Sequence, residues 1–156
     1  MPRWPGVPLV IGLLAAGCGS PAPGPTPQGT LRLTTSQLPS FVVNGEPLTI
    51  FAARLENGGQ SAVDLTFPSS CSILPAFETR TGQAVTPVGG GLACATVIVH
   101  QTLGAGQSVI QSFSVKAGTV PDAQFIVLPP GDYRIVARLA DTVYRLNSEP
   151  LSFSLR

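Results

Sequence analysis

The sequence predicts an all-β fold, an antiparallel sandwich of about seven to nine short strands with helix nearly absent. Three observations carry that expectation. Apolar and polar residues alternate with period two through much of the chain after residue 30, as in Val63-Asp64-Leu65-Thr66-Phe67, which sends one row of side chains into a core and the other into water. Turn signals rich in glycine and proline separate these runs at intervals of roughly 8–12 residues. No window longer than one turn repeats its apolar residues at helical spacing.

The amino-terminal part has a different composition. Arg3 and the amino terminus supply positive charge, residues 9–16 are an apolar run of eight, and Ala15 and Gly17 are the small residues a cleavage site requires. Eight residues are too few for a bilayer-spanning helix, which takes about 20. Plain secretion with cleavage before Cys18 would leave an unpaired terminal cysteine, and lipidation of the thiol explains that residue. The string Leu13-Leu14-Ala15-Ala16-Gly17-Cys18 resembles a bacterial lipoprotein signal, with Ala15 where leucine is commoner. The resemblance implies a signal peptide over residues 1–17, an acylated Cys18, and a membrane of the cell envelope as the partner surface. Two or three acyl chains, at about 0.8 kcal/mol per buried CH₂, hold a protein firmly. Gly19 and Ser20 follow, where an Asp directly after the cysteine would imply inner-membrane retention. The implied site is the outer membrane of a two-membrane host, and otherwise the outer face of the cell membrane.

Residues 18–29 form a linker. Four prolines among residues 19–29 favour extended polyproline II, giving a spacer of up to roughly 30 Å at ~3.1 Å per residue. The same prolines could be read as a PxxP ligand, but a stalk is the better account outside the cytoplasm.

Residues 30–156 make one domain with room for a core. Its expected inward rows are, in order, Leu31/Leu33, Phe51/Ala53/Leu55, Val63/Leu65/Phe67, Val97/Val99, Val109/Phe113/Val115, Tyr133/Ile135/Ala137/Leu139 and Leu151/Phe153/Leu155. Between them fall Asn44-Gly45, Asn57-Gly58-Gly59, Thr81-Gly82, Gly89-Gly90-Gly91, Gly104-Ala105-Gly106 and Pro129-Pro130-Gly131, each a turn by its chemistry.

With Cys18 assigned to lipid, Cys71 and Cys94 remain as a disulfide pair closing a surface loop. A loop of that length gives about 3 kcal/mol by the chain-entropy account. Zinc would need ligands that a single histidine, His100, cannot complete. His100 follows Val97-Ile98-Val99 and reads as a hydrogen-bonded strand residue rather than a base. Asp64, Asp132 and Asp141 stand near turns at unrelated spacings, so neither a calcium loop nor a carboxylate pair is legible. No G-x-S-x-G and no phosphate loop is present, and Gly89-Gly90-Gly91 reads as a mobile hairpin. The nine basic residues include Arg3, so the segment after the signal balances eight basic against eight acidic side chains. Nucleic acid is therefore not indicated as a partner. These readings point to a non-enzyme without cofactor or metal.

Several turns resemble those of immunoglobulin-like envelope modules. They are Leu55-Glu56-Asn57-Gly58-Gly59 before Val63, Leu103-Gly104-Ala105-Gly106-Gln107-Ser108 before Phe113, and Leu128-Pro129-Pro130-Gly131-Asp132-Tyr133. In the last, the Tyr133 hydroxyl either returns to upstream backbone as a tyrosine corner or simply follows a tight turn. Together with Thr81-Gly82-Gln83-Ala84-Val85, and over roughly residues 41–155, the pattern resembles the BsuPI-type intracellular proteinase inhibitor domain. The chain departs from it at Ile73-Leu74-Pro75-Ala76-Phe77, where the family has an acid between aromatics, and in its cystine and export signal. The resemblance implies an immunoglobulin-like sandwich. The expected function is a lipid-anchored envelope lipoprotein that binds protein or serves a structural role, with proteinase inhibition as the alternative and an envelope protein or a proteinase as the partner. The segment between Cys71 and Cys94 reads as an ordinary stapled loop, and binding residues are not legible; it is nevertheless the part of the chain best suited to recognition, because a stapled, Gly-rich segment costs little entropy to order.

Overall fold

The structure, a computed structural model, describes residues 30–89 and 92–156. Cys18, its signal peptide and the linker, together with Gly90 and Gly91, lie outside the described residues.

Ten strands and no helix occur among the described residues. They are β1 (Leu31–Val43), β2 (Glu46–Asn57), β3 (Val63–Phe67), β4 (Ile73–Thr79), β5 (Ala84–Val85), β6 (Val99–Leu103), β7 (Ser108–Ala117), β8 (Ile126–Leu128), β9 (Gly131–Leu139) and β10 (Leu151–Leu155). One four-stranded sheet has the order β1-β2-β7-β8, a second β10-β9-β4-β5, and β3 pairs with β6. The count exceeds seven to nine because β5 and β8 span two and three residues, too few to leave an alternating pattern. Every strand pairing is antiparallel except β7 with β8. That parallel pair follows from the crossover through residues 118–125, which returns the chain in the direction of β7.

Alternation puts the expected rows inside. Leu31, Leu33, Phe51, Ala53, Leu55, Val63, Leu65, Phe67, Phe113, Val115, Tyr133, Ile135, Ala137, Leu139, Phe153 and Leu155 belong to one buried cluster. Rings from both large sheets meet there: Phe51 and Phe153 lie 4.7 Å apart edge to face, and Phe77 and Tyr133 lie 6.3 and 5.7 Å from Phe153. Truncating such a ring to alanine typically costs about 3–5 kcal/mol. One expected row fails. Val97 lies before β6 and is 49% exposed, because the strand begins only at Val99.

The turns behave as their residues dictate. Asn44 and Gly45 join β1 to β2 with φ of 52° and 83°, the two positive angles a twisted two-residue hairpin requires. Asn57 is fully buried and its side-chain nitrogen donates to the carbonyls of Ser61, Leu103 and Gly104 at 2.8, 2.9 and 3.2 Å. Its side-chain oxygen accepts from the Gly59 amide at 3.0 Å. One amide thus ties the β2–β3 turn to the β6–β7 turn. The Tyr133 hydroxyl donates to the Pro129 carbonyl at 2.8 Å, so the ring does close a tyrosine corner over the Pro129-Pro130-Gly131 turn.

Candidate functional site

Cys71 and Cys94 form a disulfide, with S–S 2.01 Å and Cα atoms 5.4 Å apart. What it encloses is not a surface loop. The segment contains β4, an inner strand between β9 and β5, with Ile73 and Phe77 in the core. The bond therefore pins a strap, residues 92–98, to the start of a core strand. Backbone reinforces it: the Ser70 amide donates to the Ala95 carbonyl at 3.0 Å, and the Ala95 amide donates to the Ser70 hydroxyl at 2.8 Å. Gly89, read from sequence as part of a mobile hairpin, is instead bridged to Val127 in β8, with the Val88 amide donating to the Val127 carbonyl at 2.9 Å.

Beside the cystine lies an apolar cleft of about 260 Å³, lined by Leu74, Phe77, Pro87, Leu92, Cys94 and Ile126. Leu74 is 38% exposed at its rim, and Val97 and Ile98 are 49% and 66% exposed on the strap that follows Cys94. Sequence reasoning read this segment as a stapled loop and missed the cleft that it helps to form. The stretch Ile73-Leu74-Pro75-Ala76-Phe77, noted for the acid it lacks, is the strand that walls the cleft. Alternation within it was the available signal, since Ile73 and Phe77 point inward and Leu74 does not.

The titratable residues singled out from sequence are dispersed and structurally committed. His100 is exposed on β6, with Nδ1 3.1 Å from the Thr66 hydroxyl on β3. Asp64 accepts from the Thr102 hydroxyl at 2.6 Å across the same strand pair. Asp141, nearly buried, accepts from the Thr66 amide with one oxygen and from the Val143 and Tyr144 amides at 2.7 Å each with the other. Asp132 accepts from the Ser154 hydroxyl, which leads the forces holding its carboxyl below the usual range, with Arg80 and Arg156 adding. Asp122 is also held low, first by the Gln124 amide and then by Lys116. Lys116 is held high by Glu46 at 2.7 Å and by Asp122 at 2.9 Å. Among the described residues no three His, Cys, Asp or Glu side chains are grouped so as to hold a metal ion. No helix among them is long and apolar enough to cross a membrane.

No family model and no curated protein matches this chain. Among solved structures, a Northeast Structural Genomics Consortium target is similar at 11% identity and TM-score 0.33, over 83% of this chain and 89% of that one. A β-glucosidase involved in saponin metabolism from intestinal bacteria aligns at 11% identity and TM-score 0.42, over 81% of this chain and 16% of that one. A β-D-glucoside glucohydrolase from Trichoderma reesei aligns at 16% identity and TM-score 0.36, over 81% and 18% respectively. This chain thus corresponds to under a fifth of either glucosidase, and no functional argument follows from them.

Proposed function

We propose that this chain is a non-enzymatic binding module of the cell envelope, held at a membrane by an acyl group on Cys18, and that it takes an apolar side chain of a partner protein into the cleft beside the cystine. The observation that carries the reading is the contrast at the surface. The carboxylates near the turns and His100 are engaged in hydrogen bonds that close loops and strand pairs, whereas Leu74 stands partly in water at a cleft whose lining includes Cys94 of the disulfide. Burying one such aliphatic side chain on binding contributes about 1.5–3 kcal/mol at most. A cystine-held rim loses little freedom when it docks.

The proteinase-inhibitor reading has one feature in its favour, the strap after Cys94, which offers Val97 and Ile98 on a fixed backbone. Three measurements address the two readings. Intact mass of the mature protein should show a diacylated or triacylated cysteine at its amino terminus, and an unmodified cysteine there sinks the anchor. Capture of envelope proteins by the wild type should be lost with Leu74→Asp and kept with His100→Ala. Capture indifferent to Leu74→Asp refutes the cleft. Stoichiometric inhibition of a subtilisin-like proteinase without cleavage of the strap would move the function to the alternative.

A further inference from the structure

No charged side chain lines the cleft beside the cystine, yet one cation stands next to it. Arg138 of β9 is the register partner of Leu74 in β4. The two side chains therefore leave the same face of the sheet, with Cβ atoms about 4.5–5.5 Å apart. Leu74 forms part of the rim of the cleft and Arg138 is exposed. Four positions further along the same two strands, Arg134 and Glu78 answer each other at 2.8 Å, and Arg80 lies 3.6 Å from Asp132. Arg138 has no such partner. It makes no ion pair and no side-chain hydrogen bond among the described residues. A guanidinium, with five N–H donors in a fixed fork, is left uncommitted beside an apolar cleft.

The backbone narrows what can enter. From Ile73 to Phe77 the free side of β4 offers no amide to an added strand. The Ile73 amide donates to the Gln111 side-chain oxygen at 3.2 Å, Pro75 has no amide to give, and β5 pairs with Phe77 and Glu78. Peptide recognition by strand addition needs such donors, so recognition here falls to side chains. Size narrows it further: the cleft holds about 260 Å³, below the roughly 300–1,000 Å³ of small-molecule sites. It takes one side chain rather than a long acyl chain.

We propose that Arg138 reads a carboxylate on the partner, so that the segment docking at the cleft is an aliphatic or aromatic residue with Asp or Glu one or two positions away. The proposal rests on the reading of the cleft as the seat of a partner's apolar side chain, and it names the chemistry of that partner. An extended chain advances about 3.3 Å per residue, and β9 lies one strand inward of β4, about 4.8 Å. A carboxylate one or two residues from the seated side chain therefore falls within reach of the guanidinium. The apolar contact supplies most of the affinity, and the charge at the rim supplies register and on-rate.

The test is selection from a random hexapeptide library on the full chain in detergent. Recovered peptides should combine an aliphatic or aromatic residue with Asp or Glu one or two positions off. One of them, and the same peptide with its acid replaced by the amide, are then titrated by calorimetry. The acid should strengthen binding to the wild type by about two- to fivefold, the weight of one exposed ion pair, and by less at high salt. Arg138→Gln should bind the two peptides equally, Arg138→Glu should prefer the amide form, and Leu74→Asp should bind neither. Melting curves establish that the variants fold, and Leu74→Ala, which should weaken both peptides alike, replaces Leu74→Asp if that variant does not. Recovered peptides without an acid, or an acid preference that survives in Arg138→Gln, overturn the proposal and leave the cleft reading standing. If no peptide is retained, or if binding ignores the Leu74 variants, the cleft reading fails and the proposal falls with it. Soluble dihexanoylphosphatidylglycerol that binds the wild type but not Arg138→Gln, with no peptide retained, gives the guanidinium to a lipid and equally overturns it.

Discussion

The two margins of the sandwich are finished differently. On one, β5 and β8 end their sheets with two and three residues. Residues between them fasten the sheets to each other, through the Val88 amide on the Val127 carbonyl and the Gly89–Val127 bridge. The cystine and the strap lie near this margin, with Ile126 of β8 and Cys94 lining the same cleft. On the other margin, β1 runs for 13 residues with half its length regular and uncharged beyond Arg32. Brevity and cross-linking leave the first margin no free edge to offer, whereas the second keeps one open. The contrast teaches that the cystine margin is fixed by cross-links between its segments, while the β1 margin leaves one side of a long strand without a strand partner.

The largest expected effect falls on the closed margin. Leu128 is completely buried at the end of β8, and its carbonyl accepts from the Gly118 amide at 2.8 Å. Leu128→Ala should lower stability by about 2–5 kcal/mol, the cost of a buried leucine cavity, as measured by chemical denaturation. A loss comparable to that of an exposed substitution would mean that β8 is not an integral edge. Next comes the cystine. Replacing Cys71 and Cys94 together by serine should cost about 3 kcal/mol, and amide exchange should rise first in residues 92–98. If the strap stays protected in the double variant, the Ser70–Ala95 hydrogen bonds hold it and the disulfide does not.

How much of this was legible depends on the range over which each signal acts. The inner rows of β2, β3, β9 and β10 were readable because period-two alternation is local and burial follows from it directly. The same holds for Asn44-Gly45, whose positive φ values are a property of the two residues themselves. Val97 was misassigned because an apolar run at a strand's entrance looks like the strand, and the start of pairing is fixed by β3, a partner 32 residues away at Phe67↔Val99. β8 escaped notice because three buried residues in a row carry no alternation. Its parallel pairing to β7 is decided by a crossover rather than by its own residues. The candidate surface is a tertiary object. The cleft needs β4, the strap and β8 brought together, and Arg138 of β9 meets Leu74 from 64 positions away in the numbering.

The smallest effect concerns pH and separates the margins most sharply. Near the closed margin, residues 118–125 are tied to β7 by Lys116, which contacts Glu46 and Asp122 and lies 5.8 Å from the centre of the Phe125 ring. Asp122 is lowered from 3.8, so its contribution is fully present above that value and is lost as pH falls through the lowered one. Lys116 is raised from 10.5, so its contribution is present below that value and is lost as pH rises through the raised one. The crossover should therefore stay closed between these limits and loosen at both extremes. After correction for intrinsic base catalysis, amide exchange at Gln124 and Phe125 should show an acid limb and an alkaline limb. Residues 33–38 contain no titratable side chain, so the open margin should show neither. Lys116→Met isolates the two causes. It should erase the alkaline limb but only shrink the acid one, because the leading support of the Asp122 carboxylate is the Gln124 amide, at 2.7 Å. An alkaline limb that survives in Lys116→Met would show that the crossover is not fastened by this ammonium, and the closed margin would then owe its order to apolar packing, the cystine and the backbone bonds to Val127 and Leu128.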